Sequence, residues 1–348
     1  MRPLWTLLVT AVVLTLSPAG AAQSQARRPV VFVPGILGSK LVLNGEVLWG
    51  ADVLASFRHF NRLEFDPSSP DLSIASRKPD CLLEQAHVLS TYLAASVYRG
   101  IVEFFHSNGY RDGEDLFVFC YDWRRSVFDI AADLDKFVGT EPRLSGRKFD
   151  LVMHSMGGLV GRTFLQTYPE TASQVSTFAE LAVPHRGSIS ILSTLYEGWG
   201  SASRIAAGGI ETIRKVVFSF DSFFELLPWY TNCCGLGFAP PRTPLLDFRD
   251  PSVWSTDLRW LLPADMSAQQ IDARAKRGAT RLAQLALLME RPLPPEIRHA
   301  VFSGRWQETN ETVYVLKDQA RLTYRDNTGD RFRFAISSTC FHQFPALL

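Results

Sequence analysis

Phe149-Asp-Leu-Val-Met-His-Ser-Met-Gly-Gly-Leu-Val-Gly161 is the stretch that decides the fold. Phe149 to His154 reads as a strand that runs straight into a Gly-containing turn at Ser155 and then into a helix. A chain that turns this sharply from strand to helix lifts the side chain at the turn above the sheet edge, the placement of a serine nucleophile. Gly157 and Gly158 allow the helix to approach closely behind it. The helix start directs backbone N–H groups and the positive end of its dipole at an oxyanion, which makes the Met156 amide one expected donor. Met153 stands where such turns usually carry their first glycine and adds bulk to a tight place.

Outward from this turn, short apolar runs alternate with amphipathic stretches, the pattern of βα units on a mostly parallel sheet. Pro29 to Val33 reads as a strand ending at Pro34-Gly35, Leu116 to Tyr121 as the next, and Phe178 to Val183 as the one after the Ser155 turn. Leu93, Val97, Ile101, Phe104 and Phe105 recur at helical spacing, as do Val127, Ile130, Ala131, Leu134, Phe137 and Val138. From Gly187 to about Pro295 strand alternation gives way to scattered helical signals with Pro and Gly clusters. That predicts a cap insertion at about 188–295. Strand patterning resumes at Ala300 to Gly304 and again at Thr312 to Leu316. The Pro/Ser-rich run from Asp66 to Asp80 belongs to a smaller lid excursion at about 44–90.

The chain has 348 residues, 46% apolar and 20% charged, so a large core can form. Lys+Arg 36 against Asp+Glu 35 leaves a formal charge of +1, which gives no reason to expect a nucleic-acid partner. Arg2, the apolar run Leu4 to Leu16 and Ala19-Gly20-Ala21 have the form of a signal peptide over 1–21, with an uncleaved anchor as the alternative. Residues 22–348 are then expected in an exported, periplasmic or secreted setting. There the five cysteines, Cys81, Cys120, Cys233, Cys234 and Cys340, can include disulfides. Cys120, in an apolar run, reads as a buried thiol. No Cys/His spacing suits a metal, and no metal or organic cofactor is expected.

Val33-Pro-Gly-Ile-Leu-Gly38 follows the first strand, and its glycines allow backbone rather than side chains to face a reacting carbonyl. The Leu37 amide is the second expected oxyanion donor; taken alone, the stretch reads equally as a plain turn. Two more motifs follow strands, Phe119-Cys-Tyr-Asp-Trp-Arg124 and Val183-Pro-His-Arg-Gly-Ser188. A third, Ser219-Phe-Asp-Ser-Phe-Phe-Glu-Leu-Leu-Pro228, lies in the cap. Together with His-Ser-Met-Gly-Gly, these motifs resemble the lecithin:cholesterol acyltransferase-like family, which includes lysosomal phospholipase A2 and phospholipid:diacylglycerol acyltransferases. The likeness runs over roughly residues 30–330.

The resemblance implies an α/β-hydrolase fold, a mostly parallel sheet flanked by helices with a cap or lid insertion. It implies an enzyme that moves an acyl chain from a lipid ester to water or an alcohol through a serine acyl-enzyme, with peripheral contact to a lipid surface. Trp49 resembles an early lid tryptophan. Phe223, Phe224 and Trp229 read as acyl-pocket walls or, equally, as ordinary core.

The chain order of the triad in this fold is Ser, acid, His. The family carries its acid in a Gly-Asp-Gly-Thr-Val-like motif, of which Gly329-Asp330 matches two residues and Arg331-Phe332-Arg333 departs. Asp330 is the expected acid, with Asp326 as fallback. His342 alone follows Asp330 and is the expected base. His59, His87 and His106 precede the nucleophile, His154 should point away from Ser155, and His185 and His299 precede the acid. From Arg331 onward the tail ceases to resemble the family, so two readings stand. Either His342 serves, or the tail is frameshifted or stopped early and the chain is an inactive lipid-binding member. An exported esterase or lipase without acyl transfer is the further alternative.

Overall fold

The computed structural model describes residues 27–50, 53–68, 72–74, 78–83, 97–230, 232–237, 245–303, 310–316 and 321–326. The segment 1–21, Asp330 and His342 lie outside the described residues. The strands in chain order are β1 (Val30–Val33), β2 (Leu41–Leu43), β3 (Glu46–Trp49), β4 (Ser73–Ile74), β5 (Leu116–Val118), β6 (Phe149–His154), β7 (Val175–Leu181), β8 (Cys234–Leu236), β9 (Arg298–Phe302), β10 (Asn310–Leu316) and β11 (Arg321–Asp326). The helices are α1 (Val53–Arg58), α2 (Val97–Ser107), α3 (Val127–Thr140), α4 (Met156–Thr167), α5 (Pro169–Ala172), α6 (Ser190–Glu197), α7 (Ser201–Ala206), α8 (Ile210–Val217), α9 (Asp221–Glu225), α10 (Ser252–Thr256) and α11 (Ala268–Met289).

The main sheet has the order β5-β1-β6-β7-β9, parallel throughout. Strand periodicity sorts its residues to two faces. Val31, Val33, Leu151 and Met153 join the core under α3 and α4, while Val30, Phe32 and Val152 meet Ile101 and Phe105 of α2. Burial on both faces is why β1 is the unbroken apolar run Val-Val-Phe-Val. From β1 the sheet grows to β5 on one side and to β6 on the other. The crevice beyond the carboxyl ends of β1 and β6 is therefore the topological switch point where open α/β sheets bind ligands. A central strand running through a sharp turn into a helix within this sheet makes it an α/β-hydrolase fold.

Between β7 and β9 the chain forms α6 to α11, whose aromatic centre is Phe218, Phe223, Phe224, Phe248 and Trp254. Helix α11 starts with a capping box, Ser267 and Gln270, and lies flush on Phe224 because position 278 is glycine. This segment is tied to the rest of the chain. Strand β8 pairs parallel with β10, and β10 pairs antiparallel with β11 in the hairpin after β9. The small antiparallel sheet β3-β2-β4 lies in the stretch before α2. Among the described residues no helix is long and apolar enough to cross a membrane.

Three expectations are corrected. Strand β7 begins at Val175, three residues before its apolar run suggests, and ends at Leu181, two residues sooner than expected, because Ser176 and Thr177 disguise its start. Strand β8 appears where no strand was expected, since three residues carry no readable alternation. Cys120 is bonded to Cys81 rather than being a thiol; an apolar setting buries a half-cystine as readily as a free sulfur.

Candidate active site

Ser155 sits between β6 and α4 at φ 52° and ψ −126°, a sparsely populated conformation that an L-residue holds at a cost of about 1–3 kcal/mol. Flanking bonds impose it: the Ser155 N–H donates to Leu181 O at 2.9 Å, and Gly158 N–H donates back to Ser155 O at 2.9 Å. The helix can start this close to the sheet only because small residues line its inner face. A Cβ on Gly157 would lie 2.6 Å from Pro34 O, and one on Gly158 would lie 2.1 Å from Val183 Cγ2. The bulk of Met153 is absorbed one turn further on, where a Cβ on Gly161 would meet Phe178 at 2.7 Å and Met153 Cε at 2.9 Å.

The loop after β1 reaches over this turn. Gly35 approaches so closely that an added Cβ would lie 2.8 Å from Ser155 Cβ and 3.2 Å from its Oγ. Leu37 holds φ 63°, and its carbonyl accepts from Trp49 Nε1 at 2.8 Å. Among the described residues neither the Leu37 N–H nor the Met156 N–H has a protein acceptor, and Met156 is a first-turn amide that α4 itself cannot satisfy.

The motif at 119–124 is the scaffold beneath the loop. Tyr121 Oη donates to Pro34 O at 2.7 Å, Ser39 Oγ accepts from Tyr121 N–H at 3.1 Å, and Trp123 Nε1 donates to Ser39 O at 3.0 Å. Arg124, wholly buried, grips Asp122 at 2.9 and 2.7 Å and reaches Leu63 O at 3.3 Å. Ser222 Oγ donates to Trp123 O at 2.6 Å, and Glu225 accepts from Ser126 Oγ at 2.5 Å and from the Val127 N–H at 2.6 Å. The cap segment at 219–228 is thus bonded to the same scaffold and to the start of α3.

An apolar cavity of about 60 Å³ adjoins the loop, lined by Ile36 and Leu37 and, from the cap, by Trp199, Val217, Phe220 and Phe223 among others. Phe223 is therefore brought to Leu37. Phe224 is not; it packs with Phe218 and Trp254 and against Gly278 inside the cap. Trp229, after α9, packs against the loop that follows β7: its backbone N–H donates to Arg186 O at 3.2 Å and the Arg186 guanidinium lies over its ring. Trp49 is completely buried among Phe57, Phe60 and Trp123 and meets the loop through Leu37 O. It is a pillar under the loop.

The histidines fall into clear places. His185 and His299 both turn Nε2 to Glu180, at 2.8 and 2.5 Å, with Arg162 at 3.8 Å. Burial works to raise the Glu180 pKa, yet these histidine bonds and nearby positive charge together hold it below the ordinary value. His154 faces the α2 side, where its Nδ1 meets Tyr98 Oη at 3.0 Å and burial lowers its pKa to about 4. Tyr98 was missed entirely by sequence reasoning, and no local signal marks it. Glu180 was also missed, although an ionisable residue inside an apolar strand is such a signal.

The family model of lecithin:cholesterol acyltransferase matches residues 62–268, more than half of the chain. The chain belongs to the lecithin:cholesterol acyltransferase family. The matched stretch holds Ser155, Met156, the 119–124 scaffold and most of the cap, and it excludes Leu37, Asp330 and His342. Lecithin-cholesterol acyltransferase-like 4 of Arabidopsis thaliana is 32% identical over 200 residues, 49% of this chain and 36% of that protein. Phospholipase A(1) LCAT3 of the same plant is 30% identical over 113 residues, 31% of this chain and 24% of that protein. The aligned parts thus span about a third and a quarter of these family relatives. Among solved structures, the Tle4–Tli4 complex aligns with TM-score 0.43 and 16% identity over 76% of this chain and 71% of that one. Lipase BlEst2 of Bacillus licheniformis in mature form aligns with TM-score 0.29 and 19% identity, over 55% and 56%.

Proposed function

We propose that this chain is a serine-dependent enzyme on lipid acyl esters, passing the acyl chain to water or to an alcohol through an acyl-enzyme on Ser155. The observation that carries the reading is the strained Ser155 turn with the Gly35 backbone against its hydroxyl and the Leu37 and Met156 amides free of protein acceptors. Ser155 Oγ attacks the ester carbonyl as its proton passes to the base, the tetrahedral oxyanion accepts from the two amides, and collapse expels the alcohol with that proton. The acyl-enzyme is then released by water or an alcohol in the reverse sequence of proton transfers. Asp330 and His342 are the acid and base of this proposal. Each amide donor contributes on the order of 3 kcal/mol to the barrier reduction.

Family membership, a phospholipase among the relatives and the apolar cavity beside Leu37 favour a lipid substrate. A cavity of about 60 Å³ is far below the roughly 300 Å³ at which ligand pockets begin, so a long acyl chain must part Trp199, Phe220 and Phe223 to enter. The Cys81–Cys120 disulfide favours an exported setting.

The test is turnover of acetyl and long-chain esters, with and without an added alcohol acceptor, by the chain and its Ser155→Ala and His342→Ala variants. Long-chain preference is expected, with turnover lost in the first variant and reduced by several orders of magnitude in the second. Equal kcat/KM for acetyl and long-chain esters sinks the lipid assignment. Activity that survives His342→Ala removes that residue as base.

A further inference from the structure

The loop over Ser155 is joined to the nucleophile strand by one side chain from outside both. The Gly35 N–H donates to Tyr98 Oη at 2.9 Å, and Tyr98 Oη lies 3.0 Å from His154 Nδ1. A backbone N–H can only donate, so the phenol oxygen accepts from Gly35. Among the described residues the one acceptor within reach of the buried phenol proton is His154 Nδ1, and we assign the proton to that bond. His154 is then the tautomer with its proton on Nε2. That Nε2 is buried and, among the described residues, has no partner. An apolar residue at 154 would avoid this costly orphan donor; what the imidazole supplies in return is the acceptor at Nδ1.

The relay sits where it can set a catalytic distance. Residue 154 immediately precedes the nucleophile, and residue 35 approaches Ser155 so closely that a Cβ there would lie 3.2 Å from its Oγ. Tyr98 Oη also sits under the turn closed by Gly38 N–H on Gly35 O at 3.1 Å, for a Cβ on Gly38 would lie 2.7 Å from it.

We propose that Tyr98 is a positioning residue, holding the oxyanion loop on the nucleophile turn through the chain Gly35 N–H to Tyr98 O–H to His154 Nδ1. The proposal rests on Ser155 as nucleophile. Without the phenol hydroxyl the loop loses its tether to β6, and the Leu37 amide drifts from the point where the Met156 amide also aims.

The experiment measures the rate of fluorophosphonate labelling of the wild-type chain and of Tyr98→Phe, His154→Leu, the double variant of these two, and His154→Asn, with circular dichroism melts on each. It adds kcat and KM for a soluble ester and ¹⁵N NMR of the histidine rings. Tyr98→Phe and His154→Leu should each slow labelling by roughly 10–100-fold, in kcat rather than KM, and the double variant should be no slower than the worse single one. His154→Asn, whose carboxamide oxygen replaces Nδ1 as acceptor, should recover about tenfold or more over His154→Leu. The wild-type spectrum should show His154 protonated on Nε2 with a hydrogen-bonded bare Nδ1, and Tyr98→Phe should move that Nδ1 signal toward a free acceptor. Wild-type labelling rates in Tyr98→Phe, no recovery in His154→Asn, or a proton on Nδ1 overturn the relay. If Tyr98→Phe does not fold, the two His154 variants and the wild-type spectrum decide. A wild-type chain that is not labelled at all removes the serine reading and the positioning role with it.

Discussion

Replacing Gly35 by alanine adds one methyl group between the loop after β1 and the Ser155 turn. Its Cβ would lie 2.8 Å from Ser155 Cβ and 3.2 Å from both Ser155 Oγ and His154 Nδ1. Carbon atoms rest about 3.5–4.0 Å apart, so the loop or the turn must yield by about 0.7–1.2 Å. Gly35 does not hold a positive φ, so alanine meets no backbone objection and the effect is one of space alone. The turn is pinned by Leu181 O and Gly158 N–H, which makes the loop the part that moves, carrying the Leu37 amide away from the oxyanion. A displacement of about 1 Å at reacting groups costs on the order of 100-fold in rate, about 2.7 kcal/mol at 1.36 kcal/mol per tenfold. Overpacking costs a further 1–3 kcal/mol of stability, roughly. Labelling kinetics with a fluorophosphonate, alongside a thermal melt, read both quantities. A Gly35→Ala variant labelled at the wild-type rate with an unchanged melt would refute the close approach on which the oxyanion assignment depends.

Two further outcomes follow from features outside the reacting groups. Cys120→Ser should lower stability by about 4 kcal/mol, the loop-closure value for a sequence separation of 39, seen as a lower urea midpoint; a loss under about 1 kcal/mol would contradict a formed Cys81–Cys120 bond. Burial lifts the Glu225 pKa from 4.5 to about 8, although the Ser126 and Val127 donors and Arg281 pull it down while Asp221 pushes it up. Below about pH 4.5 both folded and unfolded chains hold this proton and its contribution is complete. Between about pH 4.5 and 8 only the folded chain does, so stability falls as pH rises. Glu225→Gln should flatten that decline relative to wild type in urea midpoints at pH 5 and 8, and parallel pH dependences would contradict the buried proton.

The parts of this molecule that could be read from its residues are those whose cause is local. Phe149–His154 has the predicted bounds because a parallel central strand is apolar on both faces, and the glycines at 157 and 158 announce the close helix. Strand β7 was harder, since Ser176 and Thr177 open a strand whose apolar half begins only at Phe178. Strand β8 exists by pairing with β10, nearly eighty residues away, and Cys-Gly-Leu alone does not suggest it. The family resemblance suggests a lid role for Trp49, and nothing in its local sequence shows the Phe57, Phe60 and Trp123 rings that bury it once folded. Tyr98 is the clearest case. Its partners lie 56 and 63 residues away, and an amphipathic helix shows nothing of a hydroxyl aimed at the sheet. Phe223 and Phe224 share one motif, and only the turn of α9 sends the first to the cavity and the second into the cap.

The central claim, that Ser155 is the nucleophile, is tested most directly by locating a phosphonate adduct. Trypsin should release Phe149–Arg162 between Lys148 and Arg162, a peptide in which Thr163 is excluded and Ser155 is the sole hydroxyl nucleophile. After treatment with a fluorophosphonate, mass spectrometry should find this peptide carrying one phosphonyl group, with fragment ions placing it on Ser155, and should find none in Ser155→Ala. An adduct on any other peptide, or one that persists in the alanine variant, would contradict the account.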